Sequence, residues 1–102
     1  MSQGLTPPPF ELDSAVVLAY ASTAAPVRYT GRTTLYVDGA ALGPVPCLVL
    51  AHNNYAPHDY LLFSCSADWE VLGAAGYKSK AIALERAEVA YAGISAAWVH
   101  VA

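Results

Sequence analysis

Between Asp59 and Gly93 the chain reads DYLLFSCSADWEVLGAAGYKSKAIALERAEVAYAG: two apolar runs around a polar turn, a glycine-rich corner, then a helical period between a start and a stop signal. No other stretch restricts the fold as much. Tyr60 to Cys65 and Trp69 to Ala75 have the aromatic and aliphatic content that suits a pleated surface, and Ser66-Ala67-Asp68 supplies the turn of a hairpin between them. Alternation places Leu61, Phe63 and Cys65 on one face and Tyr60, Leu62 and Ser64 on the other. Neither face is plainly polar, so both need cover. Gly76 is expected to end the second strand. Ser79 is the predicted N-cap of a helix running to Ala92, with Gly93 closing it in the left-handed conformation. At about 100° per residue, Ala83, Leu84, Ala87, Ala90 and Tyr91 form one stripe, the expected core face. Ile82 and Val89 form a second, narrow apolar seam on the opposite side, with Glu85 and Arg86 beside it.

Upstream, consecutive prolines at Pro7, Pro8 and Pro9 favour an extended chain with few backbone donors, so residues 1–9 are predicted to be a flexible Pro-rich arm. Residues 10–102 are predicted to be a single α+β domain. In Phe10 to Ala21 the pair Val16-Val17 favours a strand, while the alanines leave a short helix open. Ser22 to Pro26 is a connector. Val27 to Val37 carries a two-residue period, with Thr33, Leu35 and Val37 pointing one way, Thr34 and Tyr36 the other, and Gly31 marking a bulge or bend. Asp38-Gly39 is a turn dipeptide, Cys47 to Ala51 a short strand and His52 to His58 a loop of turn formers. Ile94 is expected to tuck back on the helix, and Ala97 to Val101 to form a last strand. The fold class that follows is α+β: a small antiparallel sheet of about four to five strands packed against one C-terminal amphipathic helix, with a short final strand.

A chain of 102 residues buries one core, and two domains would each be too small. Charged residues make up only 13% and apolar ones 56%, too little charge to cover a small sphere, so part of the apolar surface is expected to meet a partner. The net charge of −3, with five Lys and Arg spread along the chain, argues against nucleic acid as that partner. Cys47 and Cys65 could form one bridge but fall short of a disulfide scaffold, and reduced thiols are expected. The opening MSQGLTPPPFELD lacks a positively charged leader region, and runs such as Ala15 to Ala21 are far shorter than the ~20 residues of a membrane helix. These features predict a soluble cytoplasmic protein with no membrane contact.

Several motifs invite a chemical reading. Gly73 to Ser79 lies between strand and helix and ends in Lys-Ser, but a phosphate-binding loop sets four residues between its glycines and Lys directly after the second. Here Tyr77 intervenes, which favours a strand end and a helix cap; the helix start with Lys78, Ser79 and Lys80 is the anion-binding candidate. His52 and His58 with Cys47 or Cys65 have zinc-type ligand chemistry but no compact ligand spacing, so no metal is expected. Cys65 belongs to an apolar strand face, which suits burial rather than a nucleophile. Asp68 and Glu70 would share one face of a strand, as an acid/base pair or divalent-ion site requires, yet Asp68 is more economically a turn residue. No cofactor and no catalytic residue is assigned.

Tyrosine is in excess, at seven residues, and combines a large apolar body with a polar tip. Tyr36, Tyr60 and Leu62 fall opposite the expected core faces, covered either by the N-terminal arm or by another chain. The function these patterns predict is a small non-catalytic protein-binding domain. It would act through Tyr36, Tyr60, Leu62, Ile82 and Val89 as a homodimer or as an inhibitor of a partner protein, immunity- or antitoxin-like. The alternative is a small-ligand-binding protein or small enzyme with a pocket between helix and sheet, using Asp68, Glu70, His52, His58 or Lys78.

Overall fold

The hairpin at the centre of the sequence forms one side of a larger antiparallel sheet. The computed structural model describes residues 7–33, 35–53 and 59–101. In chain order the strands are β1 (Glu11–Leu12), β2 (Ala15–Ser22), β3 (Arg28–Tyr29), β4 (Leu35–Val37), β5 (Ala40–Leu42), β6 (Cys47–Asn53), β7 (Tyr60–Cys65) and β8 (Val71–Tyr77). Helix α1 (Lys80–Ala90), β9 (Tyr91–Ala92), a 3₁₀ turn (Ile94–Ala96) and β10 (Val99–His100) follow. Most of the Pro-rich arm, Thr34 and the loop segment containing His58 lie outside the described residues.

The protein is α+β, mostly antiparallel sheet with one helix, and the sheet has more strands than predicted and curls as a half-barrel. Six strands run in the order β1-β2-β6-β7-β8, with β10 beside β1 on the free edge of β2. Ribbons β3–β9 and β4–β5 stand outside this sheet. The expected strand Cys47 to Ala51, fully buried, runs on through His52 and Asn53 as the central strand β6 between β2 and β7, so His52 pairs with Val16 and Tyr60 instead of starting a loop.

Local chemistry explains where the elements differ from expectation. Phe10 to Ala21 is neither one strand nor a helix but a hairpin, turned at Asp13 and Ser14 with φ of 47° and 67°. Short polar residues tolerate that left-handed backbone, which a two-residue hairpin turn of this hand requires. Val27 to Val37 splits at Gly31, φ 71°, because β3 pairs with β9 while β4 turns through Asp38-Gly39 to β5. The helix ends at Ala90, two residues early, since Tyr91 and Ala92 leave it to pair with Tyr29 and Arg28. Gly93, φ 95°, opens the 3₁₀ turn instead of closing the helix. Ser79 caps the helix as predicted, its Oγ accepting from Ile82 N–H. Trp69 sits in the turn at φ 67°, so the return strand begins at Val71, and it runs through Gly76 to Tyr77. Ser66, rather than Asp68, organises that turn: its Oγ accepts from the N–H groups of Asp68 and Glu70.

Both sheet faces are core. One gathers Val17, Tyr20, Val49, Ala51, Phe63 and Cys65, closed by Leu12 and Trp69, with Tyr20 edge-on to the indole at 5.5 Å. A bulge at Leu18 lets Val17 and Tyr20 share this face although they are three residues apart. The other face carries Leu48, Leu50, Ala19 and Ala21 beneath the helix, whose buried residues are the two alanines Ala83 and Ala87. Tyr91 and Ile94 complete that layer, so Ile94 does tuck back. Cys47 and Cys65 face each other across β6 and β7 as free, buried thiols. Burial raises the pKa of both, and Cys65, with Cys47 and Asp13 nearby, is pushed up to about 12, so they behave as apolar core groups.

The 3₁₀ turn is tied to the helix by one carboxylate. Glu88 accepts from Gly93 N–H at 2.8 Å, Ser95 N–H at 3.0 Å and Ser95 Oγ–H at 2.8 Å. These bonds, the one from Gly93 first, hold its carboxyl below the ordinary range. A depressed folded pKa contributes stability above the unfolded value of about 4.3, and that contribution disappears as pH falls through the folded value. Glu88→Gln is therefore expected to melt below the wild type at neutral pH, with the two melting curves drawing together as pH falls through the depressed folded value. Thermal melts between neutral and acid pH read this directly, and a gap independent of pH would contradict it.

Candidate functional site

The helix and the β4–β5 ribbon share one face of the sheet. At one end Ala83, fully buried, brings the helix close over Leu50 and Ala19. At the other end the ribbon rests on Gly73, where an added Cβ would lie 2.7 Å from Leu35 Cδ2 and 3.1 Å from both Leu42 Cδ2 and Val37 Cγ2. The missing side chain of glycine leaves room for that approach. Between these two contacts lies a cavity of about 250 Å³. Its floor is Leu48, Leu62, Ser64, Ala75 and Tyr77; Ala90, Tyr91 and Arg86 form the helix side. Leu35, Leu42 and Gly43 form the ribbon side, and Tyr29 and Thr33 the rim.

The polar groups at this cavity are few and specific. Tyr91 is buried beside Tyr29, ring centroids 5.3 Å apart, and its hydroxyl accepts from Val45 N–H at 3.0 Å. Desolvation raises the Tyr91 phenol above its ordinary value, so it keeps its proton at neutral pH. Arg86 is the only charged side chain among the described lining residues. Thr30 stitches β3 to the end of the helix, its hydroxyl donating to Val89 O at 2.5 Å and its N–H to Ala90 O at 2.9 Å. That join fixes Tyr29 at the rim.

The residues singled out by sequence are scattered around this site. Leu62 lines the cavity, and Tyr60 packs against the cluster of Ala19, Leu50 and Ala83. Both therefore lie on the helix side of the sheet and not behind it, because the face assigned to the core is only one of two. Tyr36 is 66% exposed on β4 and Ile82 43% exposed on the helix. Val89 is half-covered beside Arg28, Tyr29 and Thr30 in a broad, open surface depression of about 500 Å³. Lys78 and Lys80 are exposed on either side of the Ser79 cap. Asp68 and Glu70 are exposed in the turn before β8, and His52 stacks on Tyr60 at 5.2 Å. Lys78, Asp68, Glu70 and His52 are absent from the cavity lining, and His58 lies outside the described residues. Among the described residues no three His, Cys, Asp or Glu side chains gather as a metal site would require. No described helix is long and apolar enough to cross a membrane.

Arg86, Tyr77 and Tyr91 carried no motif in the sequence. The only signal pointing to them was the tyrosine excess and a lone cation beside a helix seam. Comparison with family models, curated proteins and solved structures finds no match to this chain.

Proposed function

We propose that the protein is a small-ligand-binding domain that holds an apolar molecule in the cavity between α1, the sheet and the β4–β5 ribbon. The observation that carries this is the cavity's composition: four leucines and two alanines alongside five hydroxyl-bearing residues and one cation, the mixture of apolar surface and polar groups that ligand sites use. Its volume of about 250 Å³ exceeds the ~150 Å³ that takes benzene and falls short of the ~300 Å³ at which drug-sized pockets begin. Among the described lining residues there is no carboxylate, thiol or imidazole, which supports binding rather than catalysis.

A second reading, contact with a partner protein or a second copy as an inhibitor or homodimer, is favoured by the exposure of Tyr36 and Ile82. One measurement separates the two. In methyl-labelled protein, titration with toluene is expected to shift the Leu35, Leu42, Leu48 and Leu62 signals without moving Ile82. Shifts at Ile82 that grow with protein concentration and ignore toluene would sink the cavity reading and favour the contact.

A further inference from the structure

Resting on the cavity reading, we infer that the ligand class is a small apolar monocarboxylate, its hydrocarbon part among Leu35, Leu42, Leu48 and Leu62 and its carboxylate at Arg86 and the Tyr91 hydroxyl. Three observations converge on this class. Arg86 is the single charge on a described lining that is otherwise apolar or neutral and includes no carboxylate. A guanidinium presents planar paired donors that match a carboxylate. Tyr91 also lines the cavity, and because its hydroxyl oxygen accepts from Val45 N–H, its own O–H remains a donor. A donor in that position is matched by an anionic oxygen and wasted on a hydrocarbon or an amine.

The helix sharpens the expectation. Arg86, Ala90 and Tyr91 come from the end of α1 where backbone carbonyls, not N–H groups, point outward. The backbone there supplies no positive potential for an anion. Discrimination therefore rests on the guanidinium, with the phenol as helper, and charge removal at that one position should erase it. An alkylammonium ligand is disfavoured because it would meet the Arg86 guanidinium and the Tyr91 O–H donor.

Phenylacetate and its isostere phenylacetamide fill the same space and differ in charge. By calorimetry the wild-type protein is expected to bind the acid about fivefold tighter than the amide, the upper end of what a solvent-exposed ion pair gives, with the margin shrinking as salt is raised. Arg86→Gln is expected to bring the acid down to the amide's affinity and leave the amide unchanged; Arg86→Lys is expected to keep part of the margin. Arg86 is exposed on the helix surface, so neither variant removes core packing. Equal binding of acid and amide by the wild type, or an acid margin that survives Arg86→Gln, overturns the carboxylate assignment and leaves the cavity reading standing. Failure of both probes to bind overturns the two together.

Discussion

Leu50→Ala is expected to remove about 3–5 kcal/mol of folding stability, the upper part of the range for buried Leu-to-Ala truncations. Leu50 is fully buried in the central strand, opposite Ala19 on β2 and Leu62 on β7, with Ala83 of the helix above it. Truncation cost depends on how far the surroundings collapse into the space left behind. Here two of the nearest neighbours are alanines, which have no side-chain length to swing inward. The void should therefore persist, and against a total of ~5–15 kcal/mol for a domain of this size the loss is large. Leu62→Ala provides the comparison: Leu62 is only half-buried and already borders the cavity, so it has fewer contacts to lose. Its cost should be less than half that of Leu50→Ala. Urea unfolding of the two variants, compared at their midpoints, decides the matter, and equal losses would mean that the helix settles onto the shortened side chain without leaving a void.

The same alanines explain how much of the fold could be read in advance. Apolar alternation in Tyr60–Cys65, the Ser79 cap and the stripe through Ala83 and Ala87 are local, nearest-neighbour properties, and the strand, the helix start and the buried helix face follow from them. The need for cover on both faces of β7 was also legible, because Leu61 and Phe63 alternate with Tyr60 and Leu62 without a polar side. What covers each face was not. Nothing within Tyr60 to Tyr77 indicates that Leu12 and Trp69 close one face while the helix closes the other. The sequence placed Tyr60 and Leu62 on a face covered by the N-terminal arm or by another chain, and the structure places both on the side of the sheet that the helix lies over.

Boundaries misread from sequence share a second cause, long-range pairing overriding local signals. Gly93 has the residue type of a helix stop, yet Arg28–Tyr29 draws Tyr91–Ala92 into a ribbon, and the left-handed glycine starts the next turn. Gly76 has the residue type of a strand end, yet pairing with Leu61 carries the strand onward. The candidate site was the least legible part. A pocket between helix and sheet was among the readings, but titratable residues were assigned to it on chemical type. The cavity instead collects leucines, tyrosines and one arginine from separate stretches of the chain, none carrying a spacing that could be recognised.

Gly73→Val is expected to destabilise the protein by about 1–3 kcal/mol, whereas Gly76→Val, on the same strand, is expected to be neutral or slightly stabilising. In isolation both changes favour a strand, since valine fits a pleated surface better than glycine by up to ~1 kcal/mol. The difference lies in what the new Cβ meets. At Gly73 it comes within 2.7 Å of Leu35 Cδ2 and 3.1 Å of Val37 Cγ2, and the γ-methyls of valine extend further into the β4–β5 ribbon. At Gly76 the nearest neighbour is Leu61 Cδ2 at 3.7 Å, an ordinary contact. The close contacts are with the side-chain ends of Leu35, Leu42 and Val37, so relieving the overpacking displaces those side chains of the ribbon, and the ribbon is one wall of the cavity. Stability and ligand binding should fall together in Gly73→Val, with toluene no longer shifting the Leu35 and Leu42 methyl signals. Gly76→Val should retain both properties. If Gly73→Val were as stable as Gly76→Val and bound toluene equally well, the ribbon could not be seated on Gly73 as described, and the cavity would lose the wall that encloses it.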